Sequence, residues 1–246
     1  MDNRVYIRFY EELNLFLDKH LRKATIEKEF KAGTTVKALI EDMGVPHTEV
    51  DLILINGESE PFSYQLQPGD YISVYPMFES LDISEITRVR EKPLRETKFI
   101  LDVHLGKLTI YLRMLGFDST YSNHFDDDTL ALLSRKEHRI LLTRDIGLLK
   151  RRIVTHGYYI HSKDPITQLK TVINRFDLKK NIDPFSRCLR CNEILRNIPK
   201  NKIQGKVPPF VYKHYDNFKT CPTCGRIYWR GSHWDNMKKF LNLLDF

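Results

Sequence analysis

The stretch that determines the fold runs from residue 98 to residue 176 and begins KFILDVHLGKLTIYLRMLGF at 98–117. It continues with DTLALLSRKEHRILLTRDIGLLKRR at 128–152 and ends with YYIHSKDPITQLKTVINRF at 158–176. Short apolar runs such as ILLT alternate here with longer stretches of helical periodicity. The alternation predicts an α/β fold in which helices cover both faces of a parallel sheet. In such sheets, functional side chains gather at the carboxyl ends of the strands.

Residues 1–78 are predicted to form a separate, smaller domain. The expected elements are four strands and one helix, at Val5–Tyr10, Ala24–Phe30, Val36–Met43 (the helix), Asp51–Ile55 and Tyr71–Tyr75. The order strand, strand, helix, strand, strand predicts a β-grasp (ubiquitin-like) fold. A charged stretch that contains Pro93, residues 79–97, is predicted to be a linker.

The small domain resembles the ubiquitin-like sulfur-carrier proteins in its Asn56-Gly57 turn and in GDYISVYP at 69–76. Sulfur carriers act through a free C-terminal Gly-Gly pair. Here the chain continues through MFESLDISEITRVR at 77–90 without such a pair, so carrier chemistry is excluded. A scaffolding, protein-binding or regulatory role remains for this domain.

Composition and charge restrict the class of protein further. With 246 residues, 41% of them hydrophobic, the chain is long enough for two compact domains. Residues 1–80 carry 8 basic and 14 acidic side chains, and residues 81–246 carry the other 31 and 18, a net charge of +13. Such a basic region attracts polyanions such as RNA. No apolar run is long enough to cross a membrane and the N-terminus has no apolar signal core, so a cytoplasmic location is predicted.

Acidic side chains stand at three places where an α/β sheet presents functional groups. Asp102 follows the first strand, Asp126-Asp127-Asp128 opens a helix, and Asp145 follows the strand at 139–143. Taken singly, Asp128 and Asp145 also suit helix caps, and Asp102 suits a turn. Together they predict a site for Mg²⁺ or Mn²⁺, because clustered carboxylates repel one another unless a cation offsets their charge. A water kept by the ion would be the nucleophile.

Four cysteines form two Cys-x-x-Cys pairs, Cys188 with Cys191 and Cys221 with Cys224, separated by 29 residues. This spacing is typical of a zinc ribbon, in which four thiolates hold a structural zinc ion in a closed tetrahedron. A redox role requires one reactive pair at the start of a helix, whereas the residues around both pairs favour turns.

Aromatic and basic side chains alternate after the second cysteine pair, in RIYWRGSHW at 226–234. Tyr228 and Trp229 are interpreted as the core of the ribbon, because so small a module needs aromatic bulk. Arg230, His233 and Trp234 are predicted to contact RNA, since nucleobases stack on aromatic rings and arginine binds phosphate.

Long segments resemble the Mut-seven (Mutator-seven) C-terminal RNase domain family. They are FILDVHLGKLTIYLRMLGFDSTY at 99–121, DDDTLALLSRKEHRILLTRDIGLL at 126–149, HSKDPITQL at 161–169, RCLRCNEIL at 187–195 and CPTCGRIYWRGSHWDNM at 221–237. The resemblance implies a PIN-like nuclease domain at 98–182 and a zinc ribbon with the C-terminal tail at 183–246. A ubiquitin-like domain often precedes this pair, as here.

The same resemblance implies roles for single residues. Asp102, Asp127 and Asp145 would hold the catalytic Mg²⁺ or Mn²⁺, with Asp128 as the runner-up to Asp127. The cations predicted to position RNA phosphates are Lys107, Arg113 and Arg144.

These expectations predict a metal-dependent ribonuclease that hydrolyses single-stranded or structured RNA. Two alternatives stay open. The chain could bind RNA without cleaving it, or it could be a toxin-like nuclease inhibited by its own acidic N-terminal domain.

Overall fold

The computed structural model describes residues 3–76, 87–89 and 97–231. Most of the predicted linker, and the C-terminal residues from 232 onward, lie outside this range. The chain divides into two compact units, Met1–His104 with Asn123–His161, and Leu105–Ser122 with Ser162–Phe246.

The N-terminal domain contains a five-stranded mixed sheet and one α-helix. In chain order its elements are β1 (Arg4–Phe9), β2 (Ile26–Glu29), α1 (Val36–Asp42), β3 (Val50–Ile55), β4 (Glu58–Ser59) and β5 (Tyr71–Pro76). The strand order is β2-β1-β5-β3-β4, with β1 parallel to β5 and the other pairs antiparallel. This arrangement confirms the β-grasp prediction and adds the short strand β4.

The core of this domain is formed by side chains that alternate along the strands between the inner and outer faces of the sheet. Val5, Ile7 and Phe9 of β1 are fully buried, while the residues between them face outward. The Thr35 hydroxyl caps α1 by accepting a hydrogen bond from the Ala38 amide at 3.3 Å. The predicted alternation therefore holds, and the helix packs its apolar side against the inner face of the sheet.

The following region alternates strands and helices as predicted. Its elements are β6 (Lys98–Leu101), α2 (Gly106–Met114), β7 (Asp118–Thr120), α3 (Asp127–Lys136), β8 (Ile140–Thr143), α4 (Ile146–Leu149), β9 (Gly157–Tyr159) and α5 (Pro165–Arg175). In the first unit β8 lies between β6 and β9, and all three strands are parallel.

Helices flank this parallel sheet within the first unit. Helix α3 contacts β6 and β8, and α4 contacts β8 and β9. All four residues of β8 are buried, as expected for a strand covered on both faces. In the second unit, α2 packs against α5 and β7. The predicted α/β fold class is confirmed.

The cysteine-containing region forms a small antiparallel sheet in the second unit. Its elements are β10 (Arg196–Ile198), α6 (Pro209–His214), β11 (Phe218–Thr220) and β12 (Ile227–Trp229), with strand order β10-β11-β12. Across the described ranges, none of the helices combines the length and the apolar character that crossing a membrane requires.

Candidate functional site

Two of the predicted carboxylates meet at the carboxyl ends of β6 and β8. Asp102 directly follows β6, and its amide donates to the Leu142 carbonyl of β8 at 3.1 Å. The Thr143 hydroxyl donates to Asp102 Oδ2 at 2.7 Å and accepts from the Asp145 amide at 2.9 Å. One fully buried hydroxyl therefore joins the Asp102 carboxylate to the backbone of Asp145.

Asp102 is a buried acid, with 7% of its surface exposed. Thr143 is its side-chain hydrogen-bond donor, and Asp102 forms no ion pair with another residue of the described ranges. A buried carboxylate is costly unless it is neutralised or hydrogen-bonded. A hard divalent cation with oxygen ligands fits this environment.

Asp145 is exposed and caps α4. Its Oδ1 accepts from the amides of Gly147 and Leu148 at 2.6 and 3.2 Å. The capping role considered for Asp145 from the sequence is therefore confirmed. Its Oδ2 accepts no hydrogen bond from the residues that the structure describes, so this oxygen is available to a ligand.

The acidic run at the start of α3 consists of one helix cap and two ion-paired residues. Asp126, rather than Asp128, is the cap, and it accepts from the Thr129 amide at 2.8 Å. Asp127 and Asp128 lie exposed in the first turn and both pair with Arg151, whose Nη2 is 3.6 Å from Asp127 Oδ2. The suggestion that Asp128 caps the helix is wrong, because the helix begins at Asp127, two residues earlier than a cap at Asp128 would require.

The aspartates do not form a compact set of metal ligands. Within the described ranges, one group of three or more potential ligand residues lies close enough to share an ion, and it consists of the four cysteines. The structure thus joins Asp102 to Asp145 and leaves Asp127 and Asp128 in ion pairs with Arg151.

Two of the predicted phosphate-binding cations lie near the protein surface. Lys107 is exposed in the first turn of α2, and Arg144 is half-buried next to Asp145. Arg113 differs, because only 6% of its surface is exposed.

The Arg113 guanidinium is used inside the second unit. Its Nε donates to the Ser119 carbonyl at 2.9 Å, and its Nη1 donates to the carbonyls of Leu189 and Arg190 at 3.0 and 2.9 Å. Burial lowers the pKa of Arg113. Arg113 thus anchors the first cysteine turn to the α2–β7 segment, and this position does not suit the predicted contact with phosphate.

The four cysteine sulfurs form a closed cluster. The four Sγ atoms lie within 4.8 Å of one another, and the Cys191 amide donates to Cys188 Sγ at 3.3 Å. Each turn passes through a residue with positive φ directly after its second cysteine, 67° at Asn192 and 68° at Gly225. The matched turns form the two halves of the predicted ribbon site.

Tyr228 also contributes to the cluster. Its hydroxyl lies 3.1 Å from Cys188 Sγ, and it accepts from the Leu189 amide at 3.3 Å. Burial alone would raise the pKa of Cys188, but hydrogen bonds from Tyr228 and from the amides of Cys191 and Arg190 bring it down to about 7.

The neighbouring thiol shows the opposite effect. Burial, followed by the Cys224 and Cys188 sulfurs, raises the pKa of Cys191 to about 12. A divalent cation would favour the thiolate form of all four sulfurs, and zinc fits this donor set.

The aromatic segment after the cysteines is mainly part of the ribbon. Trp229 packs against a buried cluster of Ile203, Val211 and Phe218, which agrees with the core role expected for it and for Tyr228. Arg230 is exposed, and its guanidinium lies 6.0 Å from the centre of the Phe185 ring. The other predicted RNA contacts, His233 and Trp234, lie outside the described residues.

Sequence reasoning did not identify Thr143 or Tyr228 as part of a site. The signal for Thr143 was its place at the end of a buried strand, two residues before an aspartate. No comparable signal marked Tyr228, because its contact with Cys188 depends on the pairing of β11 with β12.

The fold and the site define an α/β protein with carboxylates at the carboxyl ends of a parallel sheet, a four-cysteine ribbon and an N-terminal ubiquitin-like domain. The chain belongs to the family described as the Mut7-C RNAse domain, whose model matches residues 97–241. The Mut7-C ubiquitin model matches residues 2–82. Neither a search of curated proteins nor a search of solved structures found a match.

Proposed function

We propose that this protein is a metal-dependent ribonuclease that acts in the cytoplasm. Asp102 and Asp145 would hold a Mg²⁺ or Mn²⁺ ion at the carboxyl ends of β6 and β8. Asp127 would supply a third carboxylate, with Asp128 as the runner-up. Membership of an RNase domain family supports RNA as the substrate, and so does the net charge of +13 over residues 81–246.

The observation that carries this proposal is the hydroxyl of Thr143. This hydroxyl donates to the buried Asp102 carboxylate, which follows β6, and accepts from the amide of Asp145, which follows β8. It therefore fixes one carboxylate relative to the residue that carries the other. Outer hydrogen bonds of this kind orient metal ligands and are costly to lose. Because Asp145 caps α4 through its Oδ1 atom, its Oδ2 atom would be left to bind the ion.

A bound divalent ion would polarise a phosphate oxygen and activate water for attack on phosphorus. The protein residues have separate tasks. Thr143 donates a hydrogen bond to Asp102 and orients its carboxylate. Arg144, next to Asp145, would contact a phosphate oxygen and balance charge that develops during hydrolysis.

For the second metal site, we propose one structural zinc ion held by Cys188, Cys191, Cys221 and Cys224. All four thiolates are used, so no position stays open for chemistry. The ribbon would then support RNA binding through Arg230, His233 and Trp234.

Incubation of labelled single-stranded and structured RNA with and without Mn²⁺ tests the proposal, with Asp145→Asn as the comparison. Asparagine is also a good helix cap, so this variant keeps the fold while it removes the charge. We expect Mn²⁺-dependent cleavage by the wild type and none by the variant. Binding without turnover would instead support the RNA-binding alternative.

A further inference from the structure

Within the first unit, the ubiquitin-like domain contacts the parallel sheet along β9 through a buried 3-10 helix, His47–Glu49. His47 Nε2 donates to the Val154 carbonyl at 2.8 Å, and its Nδ1 lies 2.6 Å from Glu41 Oε1. Glu49 Oε1 accepts from the Tyr159 amide at 2.5 Å. His47 and Glu49 are both buried, so these bonds hold the domain against β9.

This attachment brings an aromatic residue of the ubiquitin-like domain to the end of β9. The Phe16 ring centre lies 5.6 Å from that of Tyr159 and 5.3 Å from that of His161. Tyr159 and His161 pack edge to face with their centres 4.7 Å apart. Phe16 and Tyr159 are half-buried and His161 is exposed, so the cluster of three rings is open to solvent.

The cluster of three rings lies at the same end of the sheet as Asp102 and Asp145, where the parallel strands have their carboxyl ends. His161 follows β9 as Asp145 follows β8, and the Ile160 amide donates to the Thr143 carbonyl at 2.8 Å. Partial burial of the His161 ring, followed by the positive charge of Arg144, lowers the pKa of His161. His161 therefore presents a neutral ring at physiological pH, with a cation nearby.

We propose that Phe16, Tyr159 and His161 form a stacking site for a nucleobase of the RNA, and that Arg144 contacts the phosphate of that nucleotide. The inference rests on the proposed function, because it names how the substrate of the same site is held. Aromatic rings beside a cation are the groups that bind single-stranded nucleic acid without reading its sequence. The ubiquitin-like domain would then supply part of the substrate-binding surface.

The test measures binding by fluorescence anisotropy on the full-length protein without added Mg²⁺ or Mn²⁺, so that cleavage is blocked while the ribbon keeps its zinc. The probes are a ten-nucleotide uridine RNA and a ribose-phosphate oligomer of the same length that lacks bases. We expect the wild type to prefer the RNA with bases. Phe16→Leu and His161→Ala should each weaken binding to that RNA by about tenfold and leave binding to the oligomer without bases unchanged.

Matched variants separate stacking from packing. Leu15→Ala changes an exposed apolar neighbour of Phe16 in the same 3-10 helix and should bind both probes as the wild type does. His161→Phe, which restores an aromatic ring, should recover the preference. Arg144→Ala should weaken binding to both probes equally. Thermal unfolding of each variant checks that the domain stays folded.

The outcomes distinguish the two proposals. If Phe16→Leu and His161→Ala are folded and retain the wild-type preference for bases, the stacking site is overturned, whether or not the protein cleaves RNA. If the preference is lost as expected but the wild type shows no Mn²⁺-dependent cleavage, the stacking site holds and the nuclease proposal fails.

Discussion

The cysteine cluster and the carboxylate edge, which is formed by Asp102, Thr143 and Asp145 at the carboxyl ends of β6 and β8, are two sites built in opposite ways. In the cysteine cluster, each half comes from four consecutive residues, and matched turns aim both pairs of sulfurs at one point. In the carboxylate edge, Asp102 and Thr143 are 41 residues apart and meet because β6 and β8 are parallel neighbours. The first site is complete and closed, whereas Asp145 leaves the second site open to solvent.

The difference indicates what each site is for. A closed set of four sulfurs stabilises a small module and offers no place for a substrate. An edge with one buried and one exposed carboxylate can accept an ion and a phosphate together. Perturbing the first should therefore mainly affect stability, and perturbing the second should mainly affect turnover.

The largest effect is expected from Cys188→Ser. Binding of structural zinc supplies about 10–16 kcal/mol in small zinc modules, so its loss should unfold the ribbon. Elemental analysis should find one zinc per chain in the wild type and none in the variant. Short RNA should still be cleaved to some extent, because Asp102 and Asp145 belong to the other compact unit. A zinc-free wild type, or a variant with unchanged ribbon stability and RNA affinity, would contradict this prediction.

A loss of more than about 100-fold in cleavage rate is expected for Asp102→Asn and Asp127→Asn, since direct ligands should matter more than the groups that orient them. RNA affinity should change little. Asp164→Asn is the control, because Asp164 caps α5 in the other unit and asparagine also caps. If Asp128→Asn is inactive and Asp127→Asn is active, the third ligand is Asp128.

A loss of about 10–100-fold is expected for Thr143→Val, which keeps the side-chain shape but removes the hydroxyl that joins Asp102 to Asp145. Thr143→Ser keeps the hydroxyl and should retain most of the activity. Titration with Mn²⁺ should show weaker apparent metal affinity in the valine variant. Equal activity of the two variants would show that the hydrogen bond does not position the site.

The smallest effect is expected from Asp126→Ala, and it concerns stability rather than turnover. Hydrogen bonds from the Thr129 side chain and amide lower the pKa of Asp126. A carboxyl with a lowered folded-state pKa stabilises the fold above its unfolded pKa, and this contribution disappears as the pH falls through the folded value. The variant should thus be less stable than the wild type in urea at pH 7, and this difference should shrink as the pH falls through the folded-state pKa of Asp126. The difference in stability between Asp126→Ala and Asp126→Asn should not change over this pH range, because neither side chain titrates. Cleavage should be unaffected.

Much of this architecture could be predicted from local patterns. Alternation of apolar residues predicted β1 and the buried strand β8, and the cysteine spacing predicted the ribbon. Local capping was harder to predict. Three aspartates in a row can each begin a helix, and the choice of Asp126 depends on where α3 packs against β6 and β8.

The least predictable features depend on contacts between distant segments. Arg113 was expected at phosphate because it is a basic residue in a motif, yet its guanidinium binds carbonyls 76 and 77 residues away. Thr143 acquires its role through the register of two strands, and no periodicity records that register. Pairing between segments decides which polar residues become structural and which stay available to substrate.

Glu49 has a consequence for solubility. Strand β9 lies at the edge of its sheet, and an uncovered edge strand offers free amides and carbonyls to other chains. The Glu49 carboxylate occupies the Tyr159 amide of that strand and places a buried acidic residue over it. A fragment that lacks the ubiquitin-like domain would expose this edge strand and tend to self-associate through strand pairing. Aggregation of such a fragment would therefore indicate the loss of the Glu49 contact and not a misfolded active site.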